Sequence, residues 1–120
     1  MTTPAECATA YFESVASRDA DAVAAVFAPD AVLVQPPIPG GAMPGRVIRG
    51  RDDIRAFFAD LFATMSHVTP EHGPFLVDGD RVAVEIEFVL GEPPLMHTAD
   101  FFTVRDGLIQ RLVVYVTARY

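Results

Sequence analysis

Residues 96–109 have the sequence MHTADFFTVRDGLI. Alternating side chains predict a β-strand over residues 95–104, and Arg105-Asp106-Gly107 predicts a tight turn that leads into a last strand over residues 108–119. Upstream, apolar residues occupy every second position of residues 82–90, directly after the turn sequence Asp78-Gly79-Asp80. The C-terminal part of the chain is therefore predicted to be a meander of long antiparallel strands.

Three helices are predicted in the N-terminal part of the chain. The first spans residues 4–17, with Pro4 in its first turn and an apolar stripe at helical spacing. A second short helix is capped by Asp19 or Asp21 and ends at residues 29–30, and a third is opened by a capping Asp within residues 50–53.

A short strand and a loop separate the second helix from the third. Residues 31–34 form the predicted strand, and residues 36–45 contain four prolines and three glycines, which predicts a loop. Helices that group against one face of an antiparallel sheet define an α+β fold.

Composition excludes several kinds of chemistry and of partner. The chain has 120 residues and a net charge of −7, and all nine basic residues are Arg. We therefore expect one domain over residues 1–120, a soluble and cytoplasmic protein, no nucleic-acid partner and no membrane span. Without Lys there is no side-chain amine for a Schiff base, and the single Cys7 cannot form an internal disulfide. The spacing of His67 and His72 matches no zinc pattern, so neither a metal nor another cofactor is expected.

The order of these elements resembles the nuclear-transport-factor-2-like superfamily, and the local sequences resemble its SnoaL-like and ketosteroid-isomerase-like branch. Four segments carry the resemblance: residues 11–23, 27–32, 48–58 and 100–109. The resemblance implies a cone-shaped roll, in which a curved antiparallel sheet packs around three N-terminal helices and encloses an apolar cavity. This fold hosts isomerases, cyclases, hydratases, epoxide hydrolases and proteins that only bind, so it leaves the activity open.

Asp100 is the strongest candidate for a functional residue. An Asp in the middle of a strand is costly unless it is paired, exposed or used, and alternation places Asp100 on one face with Thr98 and Phe102. In the resembled family the matching Asp points into the cavity, where it serves as an acid, an oxyanion-hole donor or a general base. The alternative is a solvent-facing or merely structural Asp.

Two further candidates follow from the resemblance. Tyr11 matches the catalytic tyrosine on the first helix of the isomerases, although an ordinary core aromatic is the alternative. Gln35 stands where the isomerases have an Asp base, and Gln cannot accept a proton at neutral pH. This departure argues against steroid-type isomerisation, and it leaves Gln35 to orient a carbonyl or a water, or to be a polar strand end.

His97 is a candidate catalytic base because imidazole titrates near neutral pH. Strict alternation puts it on the opposite face from Asp100, where Glu85 and Glu87 are its expected neighbours, and only a bulge would reverse this.

The epoxide-hydrolase branch of the resembled superfamily has an Asp–Arg–Asp arrangement on the matching strands. Here Thr98 stands in the place of its Arg. The inward positions of the last strand hold Leu112, Val114 and Val116, with no Asp, so that activity is not favoured.

The favoured function is a cofactor-independent SnoaL-like cyclase or isomerase that uses acid/base chemistry on an apolar, polyketide-like carbonyl compound. The alternative is a domain of the same fold that binds a small molecule or dimerises without catalysis. The resemblance also implies a homodimer through the outer sheet face, which carries Ala99, Phe101, Val113 and Tyr115. The residues expected to contact the substrate are Gln35, Thr98, Phe27, Phe58, Phe62, Phe88, Phe102, Val114 and Val116.

Overall fold

The computed structural model describes residues 2–37, 44–65, 68–89 and 96–119. It confirms the predicted α+β class, whereas His67 and most of the predicted loop lie outside the described residues. The elements are α1 (Pro4–Ala16), α2 (Ala20–Ala25), β1 (Phe27–Gln35), β2 (Arg46–Arg49), α3 (Arg51–Thr64), β3 (Thr69–His72), β4 (Leu76–Asp78), β5 (Arg81–Val89), β6 (Met96–Arg105) and β7 (Leu108–Arg119).

The first two helices begin as their sequences predict. In α1, the Thr3 hydroxyl accepts from the Glu6 N–H at 3.1 Å, and the Glu6 carboxylate accepts from the Thr3 N–H at 2.9 Å. This reciprocal capping box satisfies two backbone donors that the first turn leaves free. In α2, the cap is Asp19, whose carboxylate accepts from the Ala22 N–H at 3.1 Å.

The third helix begins differently from the prediction. Its N-cap is Gly50, with no side-chain cap hydrogen bond, and Asp52 and Asp53 lie inside the first turn. The Gly50 N–H instead donates to the Ala31 carbonyl at 2.8 Å, and the residue adopts φ 91° and ψ 147°. A side chain does not favour that conformation, so an Asp could not take this cap position. The two Asp carboxylates still face the positive end of the helix dipole.

The strands form one sheet in the order β2-β1-β7-β6-β5-β3, and β4 also pairs with β5. The predicted meander is confirmed by the antiparallel pairings of β5 with β6 and of β6 with β7. Two short strands without predicted bounds, β3 and β4, also pair antiparallel with β5. The pairing of β1 with β7 is parallel, so the sheet is mixed rather than wholly antiparallel. These two strands are far apart in sequence, and nothing in their local patterns reports their relative direction.

The strand β1 is longer than predicted, and β2 was not predicted. β1 starts at Phe27, before the Pro29-Asp30 sequence that was expected to end the second helix. Its register with β7 is irregular between Phe27 and Val32, a segment in which Pro29 has no N–H to donate. Of the four residues of β2 only Ile48 is buried, so the apolar pattern is too weak to mark a strand.

The helices cover one face of the sheet. α1 packs on β5, β6 and β7, while α3 packs on α2, β1 and β2. The covered face, which we call the inner face, is almost entirely apolar. Its buried strand residues include Leu33, Val82, Val84, Ile86, Thr98, Asp100, Phe102, Leu112 and Val114.

The backbone conformation of Gly50, at the start of α3, can be tested by substitution. We expect Gly50→Ala to destabilise the fold by about 1–3 kcal/mol, because the left-handed φ is strained for any side chain. The added Cβ has room, since its nearest neighbour is the Pro29 carbonyl oxygen at 3.8 Å. Urea unfolding measures the change.

Gly73→Ala is the matched control for this variant. Its Cβ also meets a carbonyl oxygen at an ordinary distance, 3.7 Å from Glu85 O, and Gly73 is not among the positive-φ glycines. Its stability should change by less than about 1 kcal/mol. Equal losses in the two variants would contradict the assignment of strain to Gly50.

Candidate active site

The Asp100 side chain lies on the inner face of β6 and is only 3% exposed. Its direct neighbours across the sheet are Val84 on β5 and Val114 on β7, and both are buried. A carboxyl group between two valines loses the water that would solvate its charge, and burial therefore favours the protonated form. The expectation that Asp100 faces inward is confirmed.

Thr98 provides a hydrogen bond to this carboxyl. Its hydroxyl donates to Asp100 Oδ1 at 3.1 Å, and both groups are buried on the same face of β6. Burial raises the pKa of Asp100 to about 7, and the hydrogen bond from Thr98 opposes that rise. Near neutral pH both the acid and the carboxylate are therefore populated, as a group that takes and returns a proton requires.

Tyr11 on α1 is the second titratable group of this interior. Burial and the nearby Asp100 carboxylate raise the pKa of Tyr11 well above its usual value. The phenol therefore keeps its proton at neutral pH and can act as a hydrogen-bond donor. Its ring packs edge-on against four aromatic rings, those of Phe12, Phe27, Phe58 and Phe102, with centroid distances of 5.1–6.1 Å.

The residues that we expect to contact the substrate divide into a buried group and a partly buried group. Phe27, Phe58 and Phe102 are at most 2% exposed and surround Tyr11. Phe62 and Phe88 are only partly buried and pack against the edge of the core. On β7, Val114 pairs with Asp100 and Val116 pairs with Thr98.

Gln35 lies on the inner face, at the end of β1. Alternation places it with the buried Leu33, whose partner on the parallel strand β7 is Leu112. Two residues further along both strands, Gln35 lies beside Val114, which is the partner of Asp100 on the next strand. Asp100 is two strands away, which is about 10 Å between strand axes. Gln35 therefore shares the inner face with Asp100 without direct contact.

The structure places His97 outside this site, on the opposite face of β6. Its Nε2 lies 3.4 Å from Glu85 Oε2, and its Nδ1 lies 2.7 Å from the hydroxyl of Thr117. The irregular pairing next to His97 places the extra residue, Thr117, in β7, so the alternation of β6 continues through His97 without a break. The catalytic role predicted for His97 alongside Asp100 is therefore not supported by its position.

His97 instead lines a groove on the outer face of the sheet. The groove has a volume of about 340 Å³. Its lining residues are Glu71, His72, Gly73, Glu85, Glu87 and His97. The predicted surface cluster of His97 with Glu85 and Glu87 is confirmed.

Two residues of the inner face were missed by the sequence analysis. Val84 and Ile86 on β5 are the direct partners of Asp100 and Thr98. Their alternation already indicated which side they share, but only the register of β5 against β6 shows which of them faces the carboxyl.

Several arginines stabilise the backbone rather than a ligand. Arg51 donates from Nε at 2.9 Å and from Nη2 at 2.6 Å to the Phe27 carbonyl, and Arg55 pairs with Asp21. Arg18 donates to the Phe62 and Met65 carbonyls at the end of α3. In the described part of the chain, no group of His, Cys, Asp and Glu has the geometry of a metal site. No helix there is long and apolar enough to cross a membrane.

The fold and the site together define a class of protein: an α+β roll in which, among the described residues, the helix-covered interior holds the carboxyl of Asp100 and the phenol of Tyr11 among apolar side chains. Residues 8–112 match the SnoaL-like domain. The chain therefore belongs to the SnoaL-like family, as the sequence resemblance implied. No curated protein matches the sequence.

Solved structures support the same assignment. A proposed polyketide cyclase from Sinorhizobium meliloti is 25% identical with a TM-score of 0.70, and the match covers 92% of this chain and 94% of that one. A protein of ketosteroid-isomerase-like fold from Catenulispora acidiphila, in complex with trimethylamine, is 25% identical with a TM-score of 0.78, over 95% of this chain and 86% of that one. An epoxide hydrolase/cyclase-like enzyme of pyran ring formation in salinomycin is 25% identical with a TM-score of 0.73, over 94% and 89% of the two chains.

The buried carboxyl makes folding stability depend on pH in a predictable direction. The pKa of Asp100 is about 7 in the folded chain and its ordinary value is 3.8. Below pH 3.8 the Asp100 carboxyl is protonated in both the folded and the unfolded chain. As the pH rises from there toward 7, only the folded chain keeps this proton. The contribution of Asp100 to the free energy of unfolding therefore decreases as pH rises between these two pKa values, by on the order of 4 kcal/mol in total.

We expect Asp100→Asn to lose this pH dependence and to be more stable than wild type at about pH 8. Asn keeps an acceptor for Thr98 but carries no charge. Chemical unfolding of both chains from about pH 4 to pH 8 measures the difference, and Asp78→Asn, at an exposed carboxyl, is the control. A constant difference between Asp100→Asn and wild type over this range would contradict the buried, proton-retaining carboxyl.

Proposed function

We propose that this chain is a cofactor-independent cyclase or isomerase that moves a proton next to the carbonyl group of an apolar small molecule. The observation that carries the proposal is Asp100, a carboxyl whose pKa of about 7 lets it both accept and return a proton near neutral pH. Family membership supports the reaction class, and a polyketide-like compound is the substrate type we favour.

In this mechanism the ionised Asp100 removes a proton from the carbon beside the carbonyl. The negative charge that develops on the carbonyl oxygen needs a donor in the same dry environment. Tyr11 supplies it, because its raised pKa keeps the phenol protonated. In an isomerisation the protonated Asp100 then returns the proton to another carbon. In a ring closure the enolate carbon bonds to the carbon of a second carbonyl group of the ligand, the π bond of that carbonyl opens, and the protonated Asp100 returns the proton to its oxygen, so that no proton is gained or lost overall.

The apolar surroundings select the ligand. The side chains next to the carboxyl are Val84 and Val114, and the rings around Tyr11 are all Phe. We propose that the ligand enters an apolar cavity here and carries no negative charge, because a buried anion would repel Asp100. We propose that Gln35, on the same inner face, orients a second oxygen of a polyketone.

Exchange of carbon-bound hydrogen tests the proton transfer directly. We expect the protein to accelerate deuterium uptake from D2O at the carbon beside the carbonyl of an apolar cyclic ketone such as 2-tetralone. Asp100→Asn should lower the rate at least about 100-fold, and Tyr11→Phe about 10- to 1,000-fold. Proton NMR follows the exchange, and the rate for wild type should rise through about pH 7 as Asp100 ionises.

The exposed variant Asp78→Asn should exchange the ketone as wild type does, which excludes a general effect of removing a carboxyl. Binding of the ketone without exchange in wild type would overturn the catalytic proposal and favour the alternative, a domain that only binds its ligand. Equal rates in wild type and Asp100→Asn would overturn the role of Asp100.

The outer sheet face supports a second proposal, that the chain forms a homodimer. Phe101 is 42% exposed, Tyr115 is 55% exposed, and their rings form an edge-to-face pair at 5.7 Å. The register of β5, β6 and β7 places charged residues on either side of this apolar centre. Residues paired across β5, β6 and β7 form four rows on the outer face. In order along the strands, these rows are Arg81, Thr103 and Arg111; Ala83, Phe101 and Val113; Glu85, Ala99 and Tyr115; and Glu87 with His97.

This arrangement is complementary to itself. We place a two-fold axis between the sheets of two copies and perpendicular to their strands. The strands of the second copy then run in the opposite direction, so that its acidic end lies over the basic end of the first copy. Phe101 and Tyr115 then pack at the centre, as the core of an isologous interface requires. We propose that Arg81 of each chain faces Glu87 of the other.

Charge reversal tests the dimer and its orientation together. We expect Phe101→Glu to yield a monomer, and both Arg81→Glu and Glu87→Arg to weaken the dimer. The double variant should restore it, because each chain then offers the opposite charge to the same partner. Sedimentation equilibrium measures the dissociation constants, and a monomeric wild type would contradict the proposal.

A further inference from the structure

Thr98 occupies a place where a hydroxyl needs a partner. Its side chain is fully buried, and its direct neighbours across the sheet are Ile86 and Val116. A hydroxyl buried among apolar groups is costly unless it forms a hydrogen bond. The bond that it forms is with Asp100 Oδ1, at 3.1 Å, two residues further along the same face of β6.

This hydrogen bond makes the two oxygens of the Asp100 carboxyl different. Oδ1 accepts the Thr98 proton, whereas no side chain of the described residues donates to Oδ2. Thr is β-branched and is held between its strand neighbours, so its χ1 angle, and with it the position of Oγ1, has little freedom. Among the described side chains, one oxygen of the carboxyl thus accepts a hydrogen bond and the other has no donor.

We propose that Thr98 acts through Asp100 as a positioning residue: its hydroxyl holds Oδ1 and leaves Oδ2 as the oxygen that exchanges a proton with the ligand. This inference rests on the proposed function only in assigning the proton transfer to Asp100. It replaces the sequence-based assignment of Thr98 as a substrate contact, because its single proton is already donated to the carboxyl.

The same bond affects how readily the carboxyl ionises. Burial raises the pKa of Asp100, and the hydrogen bond from Thr98 is the cause that lowers it. The neighbours from β5 and β7 are Val84 and Val114, which carry no charge, and the titratable group that approaches from the helices in the described residues is Tyr11 on α1. Without the hydroxyl, Asp100 would hold its proton more tightly and would be a poorer base at neutral pH.

The experiment compares Thr98→Val, which keeps the shape and removes the hydroxyl, with Thr98→Ser, which keeps the hydroxyl. Carbon-13 NMR of Asp-labelled protein gives the pKa of Asp100 without any ligand. We expect this pKa to rise by about one pH unit in Thr98→Val and to stay near the wild-type value in Thr98→Ser. Thr98→Ala, which also lacks the hydroxyl, serves if the Val variant does not fold.

The exchange of 2-tetralone supplies the second measurement. We expect the pH–rate profile of Thr98→Val to move to higher pH and kcat near pH 7 to fall about 5-fold, with little change in KM. Thr98→Ser should restore the wild-type profile. A large rise in KM with an unchanged profile would overturn the proposal and return Thr98 to the role of a ligand contact.

The titration separates failure of this inference from failure of the proposed function. An unchanged Asp100 titration in Thr98→Val, or the same rise in Thr98→Ser, overturns the positioning role whether or not the protein is an enzyme. If wild type exchanges no ketone but the titration changes as expected, the proton-transfer function fails while the control of Asp100 by the Thr98 hydroxyl stands.

Discussion

Removal of the Asp100 carboxyl from water is the constraint on which the rest of the site depends. The carboxyl stands between Val84 and Val114, and its one described side-chain partner is the Thr98 hydroxyl. Because the surroundings cannot solvate a charge, the protonated form is favoured and the pKa rises to about 7. That same desolvation strengthens any interaction that the carboxyl or the Tyr11 phenol makes with a ligand, since water does not screen it.

The sheet separates two chemical environments by the alternation of its side chains. On β6, Thr98, Asp100 and Phe102 face the helices, while His97 and Phe101 face away from them. The inner side therefore keeps a few polar groups dry, and the outer side carries charged rows around an exposed aromatic pair. A shift of β6 by one residue would exchange the two sets, so the register with β5 and β7 is a functional requirement as well as a structural one.

The fold was largely predictable because its signals are local. Period-two alternation marked β5, β6 and β7 within about one residue of their bounds, and Pro4 in α1 and the capping Asp19 of α2 marked two helix starts. The predictions that differ concern contacts from outside the element. β2 exists because β1 pairs with it, and the backbone of Gly50 is held by a hydrogen bond to Ala31.

The sequence alone determined the α+β class of the fold and that Asp100 and His97 lie on opposite faces of one strand, because alternation in a strand is a property of the chain itself. The family resemblance implied that Asp100 is the inward residue, and its burial in the folded chain confirms this. With no Lys, no pair of Cys and no metal-ligand pattern in the sequence, any catalysis was expected to use carboxyl, phenol, imidazole and amide groups. Only the tertiary structure decided that Thr98 donates to Asp100, that Val84 and Val114 flank the carboxyl, and that β1 runs parallel to β7. These facts depend on register and on packing between distant segments, which fix the distances and the solvent exposure that determine a pKa.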